Sequence, residues 1–489
     1  MLREVASSIC IPLTELFKTS IRTKKLPVEW KHANVSAIFK KGQRTAPQNY
    51  RPVSLTSVVC KVLESLIRDS IINHMTENNL FSPKQFGFLA GRSTVLQLLK
   101  VLDIWTKILD QGGCIDVIYC DFMKAFDKVP HKRLLYKLSK YGITGNTLGW
   151  IESFLLNRTQ LVTINNDKSG RAPVTSGIPQ GSVLGPLLFV IYINDLPDVV
   201  DKDSFVFLFA DDTKVFREIK SMRDKQLLQN DIKNLLLWSD KWLLRFHPDK
   251  CVCMGVGYSS TSENTFYNMN GNILKNTECE KDLGVFFDNE LNFEHHINKV
   301  INKANSILGI TKRTFAWMDK TTFCLIFKGL VRPHLEYAAP VWSPHLIKHK
   351  EALENVQRRA TKLVPGLSHM SYAERLESLK LPTLAYRRTR GDMISAFKIV
   401  HGGFDGIREM LPRNMRGLRG NDKKITIETA EKNIRFFNFT MRVRKLWNSL
   451  PDNVVNAKDV KKFEYELDKH WKDQDLLYRD FKAEISLKD

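Results

Sequence analysis

Apolar residues at helical spacing (Ile9, Leu13, Leu16, Phe17, Ile21) predict an amphipathic helix within residues 1–30, stopped by Leu26-Pro27. Val35-Ser36-Ala37-Ile38-Phe39 predicts a short strand running into Lys40-Lys41-Gly42, and Asn49-Tyr50-Arg51-Pro52 follows a polar loop. Val59, Val62, Leu63, Leu66, Ile67 and Met75 make one helical stripe. Val95, Leu98, Leu99, Leu102, Trp105 and Ile108 make a second, ended by Gly112-Gly113. Between them, Gln85-Phe86-Gly87-Phe88 and Gly91-Arg92-Ser93-Thr94 read as a loop whose serine or threonine caps the next helix. Ile115 to Phe122 predicts a strand ending at Asp121, with helical patterns next over 131–141 and 145–156. After a strand at Leu161–Ile164, the loop Ser176-Gly177-Ile178-Pro179-Gln180-Gly181-Ser182 opens an apolar helix, Val183–Asn194. In Phe205 to Phe216, two β-rich apolar runs flank Asp211-Asp212, which predicts a hairpin with the acids at its tip. Strands are therefore expected at 115–121, 203–209 and 213–219. A helix around 224–245 and short strands near 251–256 and 283–287 follow. Beyond about residue 290 the pattern is helical.

Composition changes this picture mainly through charge. The 489 residues suit two to four domains, and 43% hydrophobic with 26% charged residues is ordinary for globular protein. The 74 Lys and Arg against 53 Asp and Glu give a net +21, which favours a polyanionic partner, nucleic acid first and an acidic membrane surface second. Residues 291–420 hold over half of that excess, with dense clusters at Arg358-Arg359, Lys362 and Arg387-Arg388-x-Arg390. A cluster of this kind is as often a solvated helix face as a binding surface. Met415-Arg416-Gly417-Leu418-Arg419-Gly420 reads as a linker. No apolar run approaches the ~20 residues of a spanning helix, and the N-terminus lacks a signal peptide's apolar core. An intracellular protein of nucleus and/or cytoplasm, without a membrane partner, is expected. The eight cysteines have no zinc-site spacing, and Cys251-x-Cys253 suits one face of a strand.

The chemistry centres on the acids. Side chains alternate across a strand, so neighbouring carboxylates reach one place only at a turn. Crowded there, they repel by several kcal/mol in a low-dielectric setting unless a cation neutralises them. Taken alone, Asp-Asp is more often a polar turn. An acid at a strand's C-terminal end, Asp121, about 90 residues upstream of the pair, changes the balance toward a two-metal site on an antiparallel sheet, with the ions roughly 3.5–4 Å apart. Asp127, beyond Phe126, is assigned a structural role.

These segments, in this order, resemble the reverse transcriptases of non-LTR (LINE-type) retrotransposons of the jockey-like group. Val35–Gly42 and Asn49-Tyr50-Arg51-Pro52-Val53-Ser54-Leu55 resemble the fingers motifs, and Gln85–Phe88 and Gly91–Thr94 follow in family order. Tyr119-Cys120-Asp121-Phe122-Met123-Lys124-Ala125-Phe126-Asp127-Lys128-Val129 resembles the first catalytic palm motif. Gly177–Pro186 resembles the template and nucleotide motif, and Phe209-Ala210-Asp211-Asp212 the metal hairpin. Lys250, after Phe246-His247-Pro248-Asp249, and Leu283-Gly284-Val285 resemble the last palm motifs, the latter the primer grip. The likeness covers roughly residues 1–365.

The resemblance implies an α+β right-hand polymerase: fingers and palm over 1–290 (core about 35–288), a helical thumb over 291–365 and a basic helical C-terminal module over 366–489 that holds RNA or target DNA. It implies RNA-directed DNA synthesis with RNA template, DNA primer or target and dNTPs as partners. Two Mg2+ ions, replaceable by Mn2+, would sit on Asp121 and Asp211, with Asp212 as a further ligand or behind one. Phe126 would bar a 2′-hydroxyl, its alternative being a core aromatic. Gln180 would contact nucleotide or template, and Gly177 and Gly181 would admit nucleic acid closely. Lys40 or Lys41 and Arg51 would hold the triphosphate. Lys250 would protonate departing pyrophosphate, its alternative being a surface lysine. Leu283 and Gly284 would form the primer grip. Related elements carry an endonuclease before the polymerase, and here that activity is expected from another protein. Two rival readings are an RNA-dependent RNA polymerase, against which Phe126 argues, and a decayed or domesticated copy that only binds nucleic acid.

Overall fold

The computed structural model describes residues 4–165, 167–257, 266–315, 317–402, 407–414 and 423–487. The expected linker at 415–420 lies outside them. Three long helices, α1 (Ala6–Thr23), α2 (Val58–Glu77) and α3 (Thr94–Asp110), precede the main sheet in sequence. The first ends before Leu26-Pro27, closed by Lys24 in the left-handed conformation. Ser93 caps α3 by accepting from the Leu96 N–H, 3.2 Å.

The strands run β1 (His32–Phe39), β2 (Tyr50–Leu55), β3 (Cys114–Cys120), β4 (Arg158–Ile164), β5 (Asp167–Lys168), β6 (Ala172–Val174), β7 (Phe205–Phe209) and β8 (Asp212–Ile219). After them come β9 (Val252–Val256), β10 (Asn268–Met269), β11 (Asn272–Ile273), β12 (Lys275–Asn276), β13 (Cys279–Asp282) and β14 (Val285–Asp288). The principal sheet has the order β12-β9-β3-β8-β7, with β3 antiparallel to both β8 and β9 and β7 antiparallel to β8. The strands expected at 115–121, 203–209 and 213–219 are thus β3, β7 and β8, shifted by one or two residues. A second sheet, β2-β1-β4-β5 with β6 on β4, draws its strands from both sides of β3 in sequence.

The main sheet is buried on both faces, and the alternation of its residues shows it. Ile118, Val206, Leu208, Val215 and Cys253 join one core, with helices α2, α5 (His131–Lys140), α6 (Gly145–Leu155), α7 (Gly185–Tyr192) and α8 (Met222–Trp242); the short α4 (Ala125–Lys128) lies between β3 and α5. Val117, Phe207, Phe216 and Met254 point the other way. They meet α3, whose Trp105 packs edge-on against Phe216 and Phe287, both at 5.7 Å.

That second core continues through α9 (Glu294–Thr314), α10 (Lys320–Ile326), α11 (Arg332–Glu336), α12 (Ala339–Trp342), α13 (Ile347–Thr361), α14 (Tyr372–Leu379) and α15 (Leu384–His401) to Phe481 and Ile485. The C-terminal segment docks on α3. Arg435 Nη1 donates to buried Asp103, 2.6 Å, and Thr440 Oγ1 donates to the same carboxylate, 2.7 Å. Asn438 donates to Thr106 Oγ1, 2.6 Å, and Asp110 accepts from the Glu431 and Lys432 N–H groups.

The basic clusters of this region direct much of their charge inward. Arg387 pairs with Glu336 and Arg390 with Asp468. In Arg444-Lys445-Leu446-Trp447-Asn448, Arg444 and Trp447 are each 1% exposed, and Arg444 donates to the Thr440 carbonyl and pairs with Glu428. Those two side chains hold the protein's own backbone and are closed to nucleic acid.

Breaking the buried Arg435–Asp103 pair leaves an uncompensated charge. Arg435→Met is therefore expected to destabilise the chain by about 3–5 kcal/mol, and Asp103→Leu/Arg435→Met to recover most of it. Thermal unfolding of the two variants checks this, and equal melting of wild type and single variant would refute the buried-pair account.

Candidate active site

Asp121 follows the last residue of β3, and its backbone is pinned from the far side. Its N–H donates to Cys251 Sγ, 3.4 Å, and its carbonyl accepts from the His247 N–H, 2.8 Å. Phe122 bridges to Phe246, their rings stacked at 4.3 Å. This bracket carries Lys250 with it, placing the ammonium 3.1 Å from the Asp121 carboxylate.

On the neighbouring strands Phe209 pairs with Asp212, so Ala210 and Asp211 alone form the hairpin tip. Ala210 has φ +54°, a conformation that costs a non-glycine residue ~1–2 kcal/mol. It is held from the Gln85-Phe86-Gly87-Phe88 segment. Leu208 donates to the Lys84 carbonyl, 2.9 Å, and Phe86 donates to the Leu208 carbonyl, 2.7 Å. Fully buried Gln85 places Oε1 to accept from both the Gly87 N–H, 2.7 Å, and the Ala210 N–H, 3.0 Å. A Cβ at Gly87 would lie 2.4 Å from the Ala210 nitrogen, so only glycine allows this approach. Arg92 in turn donates to the Ser82 and Gln85 carbonyls.

The carboxylates then crowd one another. Burial, then the Asp121 carboxylate, raises the Asp211 pKa, opposed by Arg51 and Lys40. Burial followed by Asp211, Asp282 and Asp121 pushes Asp212 up to about 6, against Lys214, although the side chain keeps an exposed edge. Such a donor set suits a hard divalent cation. Among the described residues no three metal-ligating side chains form a closed cage.

The other expected residues fall into three groups. Exposed Lys40 and Arg51 share the β1–β2 hairpin, where Arg51 pairs with Ile38 and Lys40 donates to the Asn49 carbonyl. Both act on Asp211, while Lys41 is exposed in the turn beyond. Half-buried Phe126 stacks on Phe189 at 4.4 Å, next to the Gly177–Ser182 loop, whose Ile178 N–H donates to the Phe126 carbonyl. Gln180 Nε2 donates to Asp127, 2.8 Å, which gives Asp127 its structural role: holding Gln180. Both glycines face the chain's own backbone. A Cβ at Gly177 would meet Asp127 and one at Gly181 the Ser54 carbonyl, at 2.6 and 2.4 Å, so internal packing already requires glycine at each. Leu283 and Gly284 form the turn between β13 and β14. A cavity of about 190 Å3 separates that turn from the acids, lined by Asp121, Asp212, Lys214, Lys250, Asp282 and Leu283 among others.

The main sheet, antiparallel except where β12 runs beside β9, thus has one acid after its central strand and two more on the adjoining hairpin. The sequence model described as "Reverse transcriptase (RNA-dependent DNA polymerase)" matches residues 38–306, more than half of the chain, and the chain belongs to that family. It is 27% identical over 384 residues to the RNA-directed DNA polymerase from mobile element jockey of Drosophila melanogaster, covering 76% of this chain and 42% of that protein. With the probable RNA-directed DNA polymerase from transposon BS of the same fly it shares 28% identity over 341 residues, 68% of this chain and 37% of that one. The chain thus spans about two fifths of the length of these curated relatives. A solved telomerase from Candida albicans, in complex with a fragment of telomeric RNA, superposes with a TM-score of 0.41 at 10% identity, over 75% of this chain and 68% of the telomerase.

Replacing Gln85 with Leu keeps the volume and removes the shared acceptor, at a cost of about 1–3 kcal/mol for each stranded N–H. Amide hydrogen exchange should accelerate at Gly87 and Ala210 in Gln85→Leu while β3 stays protected. Unchanged protection at Ala210 would contradict the assignment.

Proposed function

We propose that this chain is an RNA-directed DNA polymerase, extending a DNA primer along an RNA template with dNTPs. The observation that carries the reading is that Asp121, just after β3, and Asp211, at the tip of the β7–β8 hairpin, lie close enough for the first carboxylate to raise the pKa of the second. We assign residues 1–290 to fingers and palm, 291–365 to the thumb and 366–489 to a C-terminal module. No helix among the described residues is long and apolar enough to cross a membrane, and a nuclear or cytoplasmic location suits these substrates.

Asp121 and Asp211 would hold two divalent ions, Mg2+ with Mn2+ as a substitute, and Asp212 stands beside them. Bound there, such ions supply charge neutralisation for a triphosphate and acidity for a primer 3′-hydroxyl. The rest falls to the chain's own groups. Arg51 and Lys40 present cations near enough to act on Asp211 and would bind the triphosphate, Arg51 by bidentate contact. Lys250, 3.1 Å from Asp121, is the proton donor we assign to departing pyrophosphate. Gln180, steadied by Asp127, keeps its amide oxygen for nucleotide or template. Phe126, backed by Phe189, cannot retreat easily and so would exclude a 2′-hydroxyl.

The full chain with Mg2+, an RNA template and an annealed DNA primer should incorporate dNTPs. Asp121→Ala and Asp211→Ala should each lower the rate by at least about 10³-fold, a loss of roughly 4 kcal/mol of transition-state stabilisation. Folded wild type that binds template–primer with a steep salt dependence and makes no DNA would contradict the proposal.

Opening the pocket with Phe126→Val should raise use of rNTP relative to dNTP by about 10–200-fold, the range that small steric differences supply. Competition kinetics with the two nucleotide types measures this, and unchanged sugar selectivity would remove Phe126 from the role.

A further inference from the structure

The Leu283–Gly284 turn is not self-supporting. Its strands have four residues each, and a short two-stranded hairpin is marginal alone. Both turn residues have positive φ, +45° at Leu283 and +93° at Gly284, and the first carries the strain of a side chain there. Two external anchors hold it. On the sheet side, Lys214 of β8, two residues beyond Asp212, makes a buried ion pair with Asp282. On the other side stands Tyr337, just after α11. Its hydroxyl donates to the Leu283 carbonyl, 2.8 Å, and Thr94 Oγ1 lies 3.3 Å from the same hydroxyl.

The Tyr337 ring also covers Gly284, where an added Cβ would come within 2.9 Å of Cε1. Tyr337 is itself fixed, since its carbonyl accepts from the buried Trp342 Nε1, 2.8 Å. Thr94 begins α3, immediately after the segment from Gln85 to Arg92 that braces the catalytic hairpin. The two turns that face each other across the cavity are therefore tied to one stretch of chain, residues 85–94.

We propose that Tyr337 is a positioning residue for the primer terminus. It holds the Leu283–Gly284 turn at a set distance from Asp121 and Asp211 and makes that distance depend on the helices after residue 290. This rests on the reading of the chain as a primer-extending polymerase and of the turn as its primer grip. The Tyr337 hydroxyl bonds to the turn and to Thr94, neither of them assigned to nucleotide binding, so its loss should displace the primer end and leave nucleotide binding unaltered.

The test uses the full chain, an RNA template and a DNA primer ending in 4-thiothymidine, with Tyr337→Phe, which removes only the hydroxyl, beside wild type. In wild type, photocrosslinks should map to the peptide holding Leu283. Tyr337→Phe should melt at the wild-type temperature, bind template–primer equally and lose most of that crosslink. Its single-turnover extension should fall by about 10–100-fold, as expected for a reacting group misplaced by around 1 Å, with KM for dNTP unchanged. Wild-type crosslink yield and rate in Tyr337→Phe would overturn the inference, as would a loss confined to KM for dNTP. A wild type that crosslinks at Leu283 in a Tyr337-dependent way without extending the primer would uphold the positioning role and overturn the polymerase reading instead.

Discussion

One amide oxygen carries an unusual share of the site. For two adjacent aspartates to serve one place, the hairpin must turn immediately before them, and this chain makes that turn with alanine rather than glycine. Ala210 sits in the left-handed region, buried, with its N–H directed inward. Gln85 Oε1 accepts that N–H and the N–H of Gly87, so the strained residue is caught between a neighbouring backbone and a buried side chain. Each of these bonds contributes about 1 kcal/mol net, comparable with the strain, and each would cost more if left unmade. Without that brace the acids would follow strand geometry and part to opposite faces.

The brace belongs to a larger unit centred on α3. Its N-terminal end meets Tyr337 and hence the Leu283–Gly284 turn, its Trp105 supports Phe216 and Phe287, and its Asp103 and Asp110 receive the C-terminal segment. A continuous core joins residues on either side of 365, from Val364 and Leu367 onward. The C-terminal region is in this sense part of the scaffold behind the sheet, whatever else its exposed lysines contact.

Patterns that depend on local chemistry were legible in the sequence. The acids, the strands that carry them and the serine cap on α3 follow from alternation, turn residues and capping. The helix at 183–194 was drawn too long, because apolar periodicity does not register its start at Gly185–Pro186. What escaped was long-range. Gln85 reaches Ala210 across 125 residues, and Tyr337 reaches Leu283 across 54, and no local pattern marks either side chain. Charge was hard to read for a related reason: in the Arg387-Arg388-x-Arg390 cluster Arg388 is buried, and Arg387 and Arg390 pair with Glu336 and Asp468, 51 and 78 residues away in sequence. Glycines 177 and 181 were read as room for a ligand, and the room is taken by Asp127 and Ser54.

Asp121 and Asp211 are proposed to hold divalent cations jointly, and metal-directed cleavage tests this. Replacing Mg2+ with Fe2+ and adding hydrogen peroxide, with ascorbate to return Fe3+ to Fe2+, generates hydroxyl radicals at the ion, which cut the nearest backbone. Mapped by mass spectrometry, the cuts should cluster near residues 121 and 211 together and vanish from both places in Asp211→Asn. Cutting elsewhere, or cutting near 121 that survives the loss of the Asp211 carboxylate, would contradict the account.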